Sequence, residues 1–308
     1  GGGVEVGETY MNQRWILEEV LRENPREDEN APDQDERPLH AYFVDSDRSA
    51  LGQSIEENIK KMVDTIEDEN ELYNRPAVDG TVINIAEGPQ QAYLKPAQVV
   101  APATITKLRQ ELNLDAWWLH EGNDGILGPL NGLQNGGVDR RRGLTKAISR
   151  INEWQADPLG EIVQDVQNNN LNEPQVAIVV GIGGGTGSGL LLDLAYRLKD
   201  AGATLTLFGV LPHSADNSSV FTNAYATLSE LEYLALAGFN LFESRILVPH
   251  DPAVDMDNFD KSVVYTINGY YNADENQTNT HSQLDETDDR DGPPKYAPFT
   301  IGTTRYLH

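Results

Sequence analysis

Two apolar rhythms alternate along the chain. Short runs with few polar interruptions fall at 41–44, 97–100, 176–182, 204–210 and 245–249, with the length and β-branched content of buried strands. Between them, near 8–22, 52–68, 144–153, 189–199 and 223–237, apolar residues return every three or four positions, as at Ala224, Leu228, Leu231 and Leu234. That spacing predicts amphipathic helices. Strands alternating with helices predict an α/β fold, a parallel sheet flanked by helices on both faces. Crossovers in such a sheet are right-handed, and a ligand lies at the carboxyl ends of its strands.

Three stretches break the rhythm. Residues 23–38 are acidic and turn-rich, which reads as a solvated loop. Residues 272–295 are rich in Asn, Thr and Asp with almost nothing apolar, and are expected to be disordered or a surface insertion. The 70–135 stretch carries Trp117 and Trp118 and is expected to pack on the domain's edge as an elaboration. Aromatic core is the commoner meaning of such residues, and a surface for a protein partner is the alternative.

Charge narrows the picture. The chain has 49 acids against 23 bases, a net charge of −26, and only 8 Lys beside 15 Arg. Acids spread along the whole length suggest adaptation to high internal salt, as in a haloarchaeal protein. The same balance argues against nucleic acid as a partner, since phosphate neutralisation needs a basic stripe. There is no cysteine, no secretory leader pattern and no long apolar run, so a cytoplasmic protein without a membrane segment is expected.

Candidate chemistry concentrates at 176–198, where a buried strand runs through a glycine loop straight into an apolar helix. Gly183, Gly184, Gly185, Gly187 and Gly189 remove side chains that would keep a phosphate from the backbone N–H groups, and they permit positive φ. Thr186 and Ser188 add hydroxyls. A helix beginning near Gly189 would aim its unpaired N–H groups and positive dipole end at an anion. Two glycine-loop chemistries fit poorly. A Walker loop needs Gly-Lys-Ser/Thr, and no Gly-Lys pair occurs in the chain. A dinucleotide fold needs an acid about 20 residues past its first glycine loop, and Asp200 comes too soon, in a helix tail.

The uninterrupted Gly-Gly-Gly-Thr-Gly-Ser-Gly of 183–189 resembles the signature loop of the tubulin/FtsZ superfamily, where it holds the phosphates of GTP. Other segments resemble the superfamily's remaining loops in their order. Gly1, Gly2 and Gly3, with a helix following, are similar to its first phosphate loop. No strand precedes them, which suggests a chain that begins inside that loop. Asp45-Ser46-Asp47 resembles the Asn-Thr-Asp of the loop near the phosphates and Mg²⁺. That likeness implies a nucleotide-binding role for Asp45 and Asp47, with Asp47 touching the metal only through water; an acidic turn capping a helix from Ser49 is the alternative. Gly136, Gly137 and Arg140 fall where the γ-phosphate-sensing loop belongs. Arg140, Arg141 and Arg142 read either as a phosphate clamp or as an anchor for an acidic neighbour. Pro212 ends a family-like loop, and His250 and Asp251 occupy the place of an Asn-Asp pair that meets ribose and base. Asn223 resembles a guanine-recognising residue, although a helix N-cap explains an Asn there equally. His250 departs from the family's Asn and cannot present both amide functions.

The resemblance implies GTP/GDP and Mg²⁺ as ligands, self-association head to tail into filaments, and hydrolysis completed by an Asn-x-Asp-x-x-Asp loop from a neighbouring subunit. The helix from Asn258 looks like the start of the family's central helix. Asn272 and Asp274 are the weak candidates for the catalytic loop, lacking the last acid and arriving early; the loop is otherwise expected beyond His308 or lost in this branch. The expected organisation is a nucleotide-binding domain over 1–271, with insertions near 23–38 and 70–135, then 272–295, then the start of a further element at 296–308. Two other readings stay open: a non-polymerising nucleotide switch or scaffold, and a dinucleotide-dependent oxidoreductase.

Overall fold

A computed structural model describes residues 2–23, 39–47, 50–52, 54–70, 78–85, 138, 140–155, 157–168, 174–250, 254–271 and 300–301. Its strands are β1 (Leu39–Asp45), β2 (Val78–Asn84), β3 (Gln175–Gly181), β4 (Thr204–Val210), β5 (Ser244–Val248) and β6 (Thr300–Ile301). The helices are α1 (Gly2–Met11), α2 (Arg14–Glu23), α3 (Ile55–Asn70), α4 (Arg142–Gln155), α5 (Gly160–Asn168), α6 (Thr186–Asp200), α7 (Ser218–Leu236) and α8 (Met256–Tyr271).

All strand pairs are parallel. β1 pairs with β2, and β3, β4, β5 and β6 form a second sheet in chain order. β4 shows why helices cover both faces. Leu205 and Leu207 point into one core with Leu191, Ala195 and Leu198 of α6 and Leu231 of α7. Phe208 points into another with Phe259, Val263 and Ile267 of α8 and Val6 of α1. A strand buried on both faces reads as a continuous apolar run, and β4 does. The expected α/β architecture is the one observed, with the strands divided between two sheets.

Helix α1 serves both sheets. A Cβ on Gly3 would come within 2.6 Å of the Val179 carbonyl oxygen in β3, and one on Gly7 within 2.9 Å of the Phe43 ring in β1. These glycines let the helix lie against the sheets, so the opening segment is helical from Gly2 rather than a loop leading to a helix near residue 8. The expected single helix over 8–22 is two, broken at Asn12 and Gln13. Strand β2 lies inside the 70–135 stretch and pairs with β1 over its full length, which corrects the reading of that whole stretch as an edge elaboration. α3 starts at Ile55, not at Ser49. The strand-like run at 97–100, Trp117 and Trp118, and the segments 24–38 and 272–295 lie outside the described residues. Among the described residues, no helix is long and apolar enough to cross a membrane.

Candidate phosphate-binding site

Strand β3 ends at Gly181, and the chain crosses four residues before α6 begins at Thr186. The helix therefore opens inside the glycine loop, three residues before the expected start near Gly189. Its first turn has no side-chain cap: Gly185 is the N-cap and can offer none. The Gly189 N–H bonds the Gly185 carbonyl at 3.2 Å, so the amides of the preceding turn have no acceptor within the helix.

Tight packing explains why most of these glycines are glycines. A Cβ on Gly183 would meet Val220 Cγ1 at 2.5 Å and Pro212 Cγ at 3.2 Å. One on Gly185 would meet Arg140 Cα at 2.7 Å and Val138 Cγ2 at 2.8 Å. Gly187 abuts the Val180 side chain, and Gly189 faces Thr145 Cβ at 2.6 Å. None of them uses positive φ; among the described glycines only Gly202 and Gly238 do. That corrects the conformational half of the expectation. The loop needs its glycines because α4, α7, β3 and the 138–140 turn all press against it.

The loop's carbonyls are occupied one after another. Thr227 Oγ1 donates to the Ile182 carbonyl at 3.2 Å, and Asn223 Nδ2 to that of Gly183 at 3.2 Å. Ser188 Oγ donates to Gly184, Thr145 Oγ1 to Gly185 at 3.1 Å, and Arg142 Nε to the Ser188 carbonyl at 3.1 Å. The donors sit on three helices, α4, α6 and α7. With its oxygens tied back and its amides unspent, the loop presents N–H dipoles and the positive end of α6, an arrangement that favours an anion. Gly184 and Gly187 are partly exposed there.

Asp45 and Ser46 reach the same helix start from the end of β1. Asp45 Oδ1 accepts from Thr186 Oγ1 at 2.9 Å and from the amides of Ser46 and Asp47 at 2.7 and 3.2 Å. Thr186 thereby spends its only proton on Asp45. Its 2.7 Å contact with Ser46 Oγ must then be a bond donated by Ser46, whose oxygen in turn accepts from the Val138 N–H at 3.1 Å. Asp45, rather than Asp47, is the carboxylate that touches α6. Among the described residues, no three His, Asp or Glu side chains are grouped to hold a metal ion.

Of the three arginines, Arg142 is the anchor for an acidic neighbour. It pairs through both terminal nitrogens with Glu230 of α7, and Lys146 Nζ lies 3.4 Å from the same carboxylate. Burial pushes the Glu230 carboxyl up, but the Arg142 hydrogen bond and the Lys146 charge outweigh it and hold it below the usual carboxylate range. Arg140 is exposed, with its backbone at φ 60°, a left-handed conformation uncommon for a residue with a long side chain.

Asn223 does not cap its helix. Asn217 does, accepting from the Val220 N–H at 3.3 Å, and Asn223 sits further along α7 facing loop carbonyls. Pro212, His213 and His250 follow β4 and β5 at the same end of the sheet, the two imidazoles 4.7 Å apart and His250 against the Phe259 ring at 4.3 Å. His213 Nδ1 accepts from the Ala215 amide at 3.0 Å, which leaves the proton of a neutral ring on Nε2. Gly2 and Gly3 begin α1 beside Val179 and Val180, just before the loop. Gly1, Gly136, Gly137, Asp251, Asn272 and Asp274 lie outside the described residues.

Sequence reasoning passed over Ser46, Thr145, Thr227 and Glu230. Two carried a readable signal: Thr145 lies beside Leu144 and one turn from Ile148, and Thr227 lies between Ala224 and Leu231 on α7, hydroxyls on otherwise apolar faces whose burial is complete. A buried hydroxyl requires a partner, and here the partner is the glycine loop.

No curated protein matches the chain. A family model described as tubulin-like matches residues 138–299, more than half of the 308 residues, from the 138–141 turn through the glycine loop, β4, β5 and α8. The chain belongs to the tubulin-like family.

Proposed function

We propose that the chain binds GTP and GDP through the 182–189 loop and assembles head to tail, hydrolysing GTP where two subunits meet. The observation that carries this reading is the division of labour in the loop: carbonyls at 182–185 and 188 are taken by side-chain donors, while the amides opening α6 keep their capacity for an anion. The residues fit a phosphate chain. Gly183, Gly184, Gly185, Gly187 and Gly189, with Thr186 and Ser188, would hold it, and Gly2 and Gly3 stand close by. They fit a base less well, since Asn223 is engaged with backbone oxygens.

The chemistry would be positioning plus charge stabilisation. Mg²⁺ supplies charge neutralisation on the outer phosphates when bound, held largely through water as is usual for this ion. Asp45 and Asp47 stand nearest among the candidates for that water shell. What this chain does by itself is fix the amides, exclude side chains from the phosphate path and keep Thr186 aligned by Asp45. The acid that orients water would come from a neighbouring copy, as the family resemblance implies.

GTP turnover measured in molar KCl with Mg²⁺ over a range of protein concentrations, with ATP as control, tests this. A specific rate rising steeply above a threshold concentration, with pelletable polymer, is the expected result. Tight GTP binding with a flat, near-zero rate would identify a switch or scaffold. NADH binding without GTP binding would favour the dinucleotide reading.

A further inference from the structure

The Val138–Arg141 turn is held from both ends by residues that also hold the glycine loop. At one end the Val138 N–H donates to Ser46 Oγ at 3.1 Å, and Ser46 donates to Thr186 Oγ1 at 2.7 Å. At the other, Asn223 Nδ2 lies 2.8 Å from the Arg140 carbonyl, 3.2 Å from that of Gly183 and 3.5 Å from that of Gly184. Three acceptors surround one amide nitrogen, so the orientation of the Asn223 amide is fixed by its surroundings. The turn closes on itself through the Arg141 N–H to the Val138 carbonyl at 3.0 Å. Between the two ends, Arg140 is kept at φ 60°, and its Cα occupies the space that a Gly185 side chain would need.

We infer that Ser46 and Asn223 are positioning residues that clamp this turn onto the glycine loop, and that the clamp sets the preference for a triphosphate over a diphosphate. The inference rests on the nucleotide reading above and assigns Asn223 a role different from base recognition. Its basis is geometric. Each residue bridges two backbone segments, and neither bridge depends on a ligand. A left-handed Arg140 carries strain of order 1 kcal/mol or more, which persists only where the surroundings hold it. Without the Asn223 bond at 2.8 Å and the Ser46 bond to Val138, the turn is free to relax away from α6.

The experiment compares wild-type protein with Ser46→Ala, Ser46→Thr, Asn223→Ala and Asn223→Asp in two readouts. Hydrogen exchange without nucleotide should show faster exchange at the Val138 amide in Ser46→Ala and faster exchange at the Arg141 amide in Asn223→Ala, with Ser46→Thr near wild type. Equilibrium binding of GTP, GDP and ATP should show the GTP-over-GDP preference falling about 3- to 10-fold in Ser46→Ala and Asn223→Ala, the worth of one or two neutral hydrogen bonds. It should fall further in Asn223→Asp, whose carboxylate would face carbonyl oxygens, while the GTP-over-ATP ratio holds. Unchanged exchange in the alanine variants overturns the clamp whatever the ligand. A collapsed GTP-over-ATP ratio with an intact GTP-over-GDP ratio overturns it in favour of base recognition by Asn223. Altered exchange in a protein whose wild type binds no nucleotide leaves the clamp standing and removes both its specificity role and the nucleotide reading.

Discussion

Asp45 and Asp260 are equally buried, each 7% exposed, and their surroundings differ completely. Asp45, at the glycine-loop end of β1, has one oxygen accepting from a hydroxyl and two amides. Asp260, on α8 where it packs against α1, has a buried Oδ1 with no hydrogen-bond partner. Burial, with Glu5 and Asp257 nearby, pushes its carboxyl up to about 6. Burial alone therefore does not decide whether an acid is well held; hydrogen-bond supply does. The loop end of the sheet is saturated with matched donors and acceptors. The α1–α8 seam carries an uncompensated acid, and stability has been conceded there.

The largest expected effect comes from breaking the saturated end. Gly185→Ala puts a methyl where Arg140 Cα lies 2.7 Å away, backbone that can yield only by moving the turn. GTP affinity should drop at least about tenfold, and stability by about 1–3 kcal/mol, the usual cost of overpacking; a calorimetric titration with a thermal melt reads both.

Next is the relief of the unsaturated seam. The folded carboxyl of Asp260 titrates above its unfolded value, so the folded state holds this proton more tightly. Its stabilising contribution is present below about pH 4 and is lost as pH rises through about 6. Asp260→Asn should then stabilise the protein by about 1–3 kcal/mol at pH 7.5, from a shift of roughly two units, and by almost nothing near pH 4. Denaturant midpoints at the two pH values test it, and an equal effect at both would contradict the assignment.

The α4–α7 anchor should matter less. Arg142→Lys keeps the charge but loses the two-pronged contact with Glu230 and the bond to the Ser188 carbonyl, and should cost about 1 kcal/mol, since Glu230 is over a third exposed. The depressed Glu230 carboxyl makes this contribution present above the ordinary carboxylate range and lost as pH falls below it, so the cost should shrink in acid melts. The smallest effect belongs to Asp45→Asn, which keeps an acceptor oxygen and should lose at most about 1 kcal/mol; Asp45→Ala, which removes the acceptor, should lose more.

Much of the fold was legible because its apolar rhythm is strong. β4 appears over the residues expected, and β3 and β5 each one position earlier. β2 escaped notice because Asp79, Gly80, Thr81 and Asn84 interrupt its apolar run. Gly80 sits there because a Cβ would meet Ile59 Cδ1 at 2.6 Å, a tertiary demand that no local pattern announces. The α1–α2 break was hidden for the same kind of reason, with apolar positions continuing across Asn12 and Gln13. At the site, the glycine loop declared itself by composition, but the purpose of each glycine did not. They read as freedom for the backbone and prove to be clearance for neighbours. Asn223 read as a base contact or a cap and proves to be a backbone tie, because its partners come from segments 39 to 83 residues away.

The central claim is that the tied-back glycine loop receives a nucleotide's phosphates. Titration of GTP into wild-type protein and Gly185→Ala in molar KCl with Mg²⁺, followed by calorimetry, tests it most directly. The account predicts saturable binding to the wild type that weakens at least about tenfold in the variant, in line with the overpacking cost; no binding to the wild type, or equal affinity for both proteins, would contradict it.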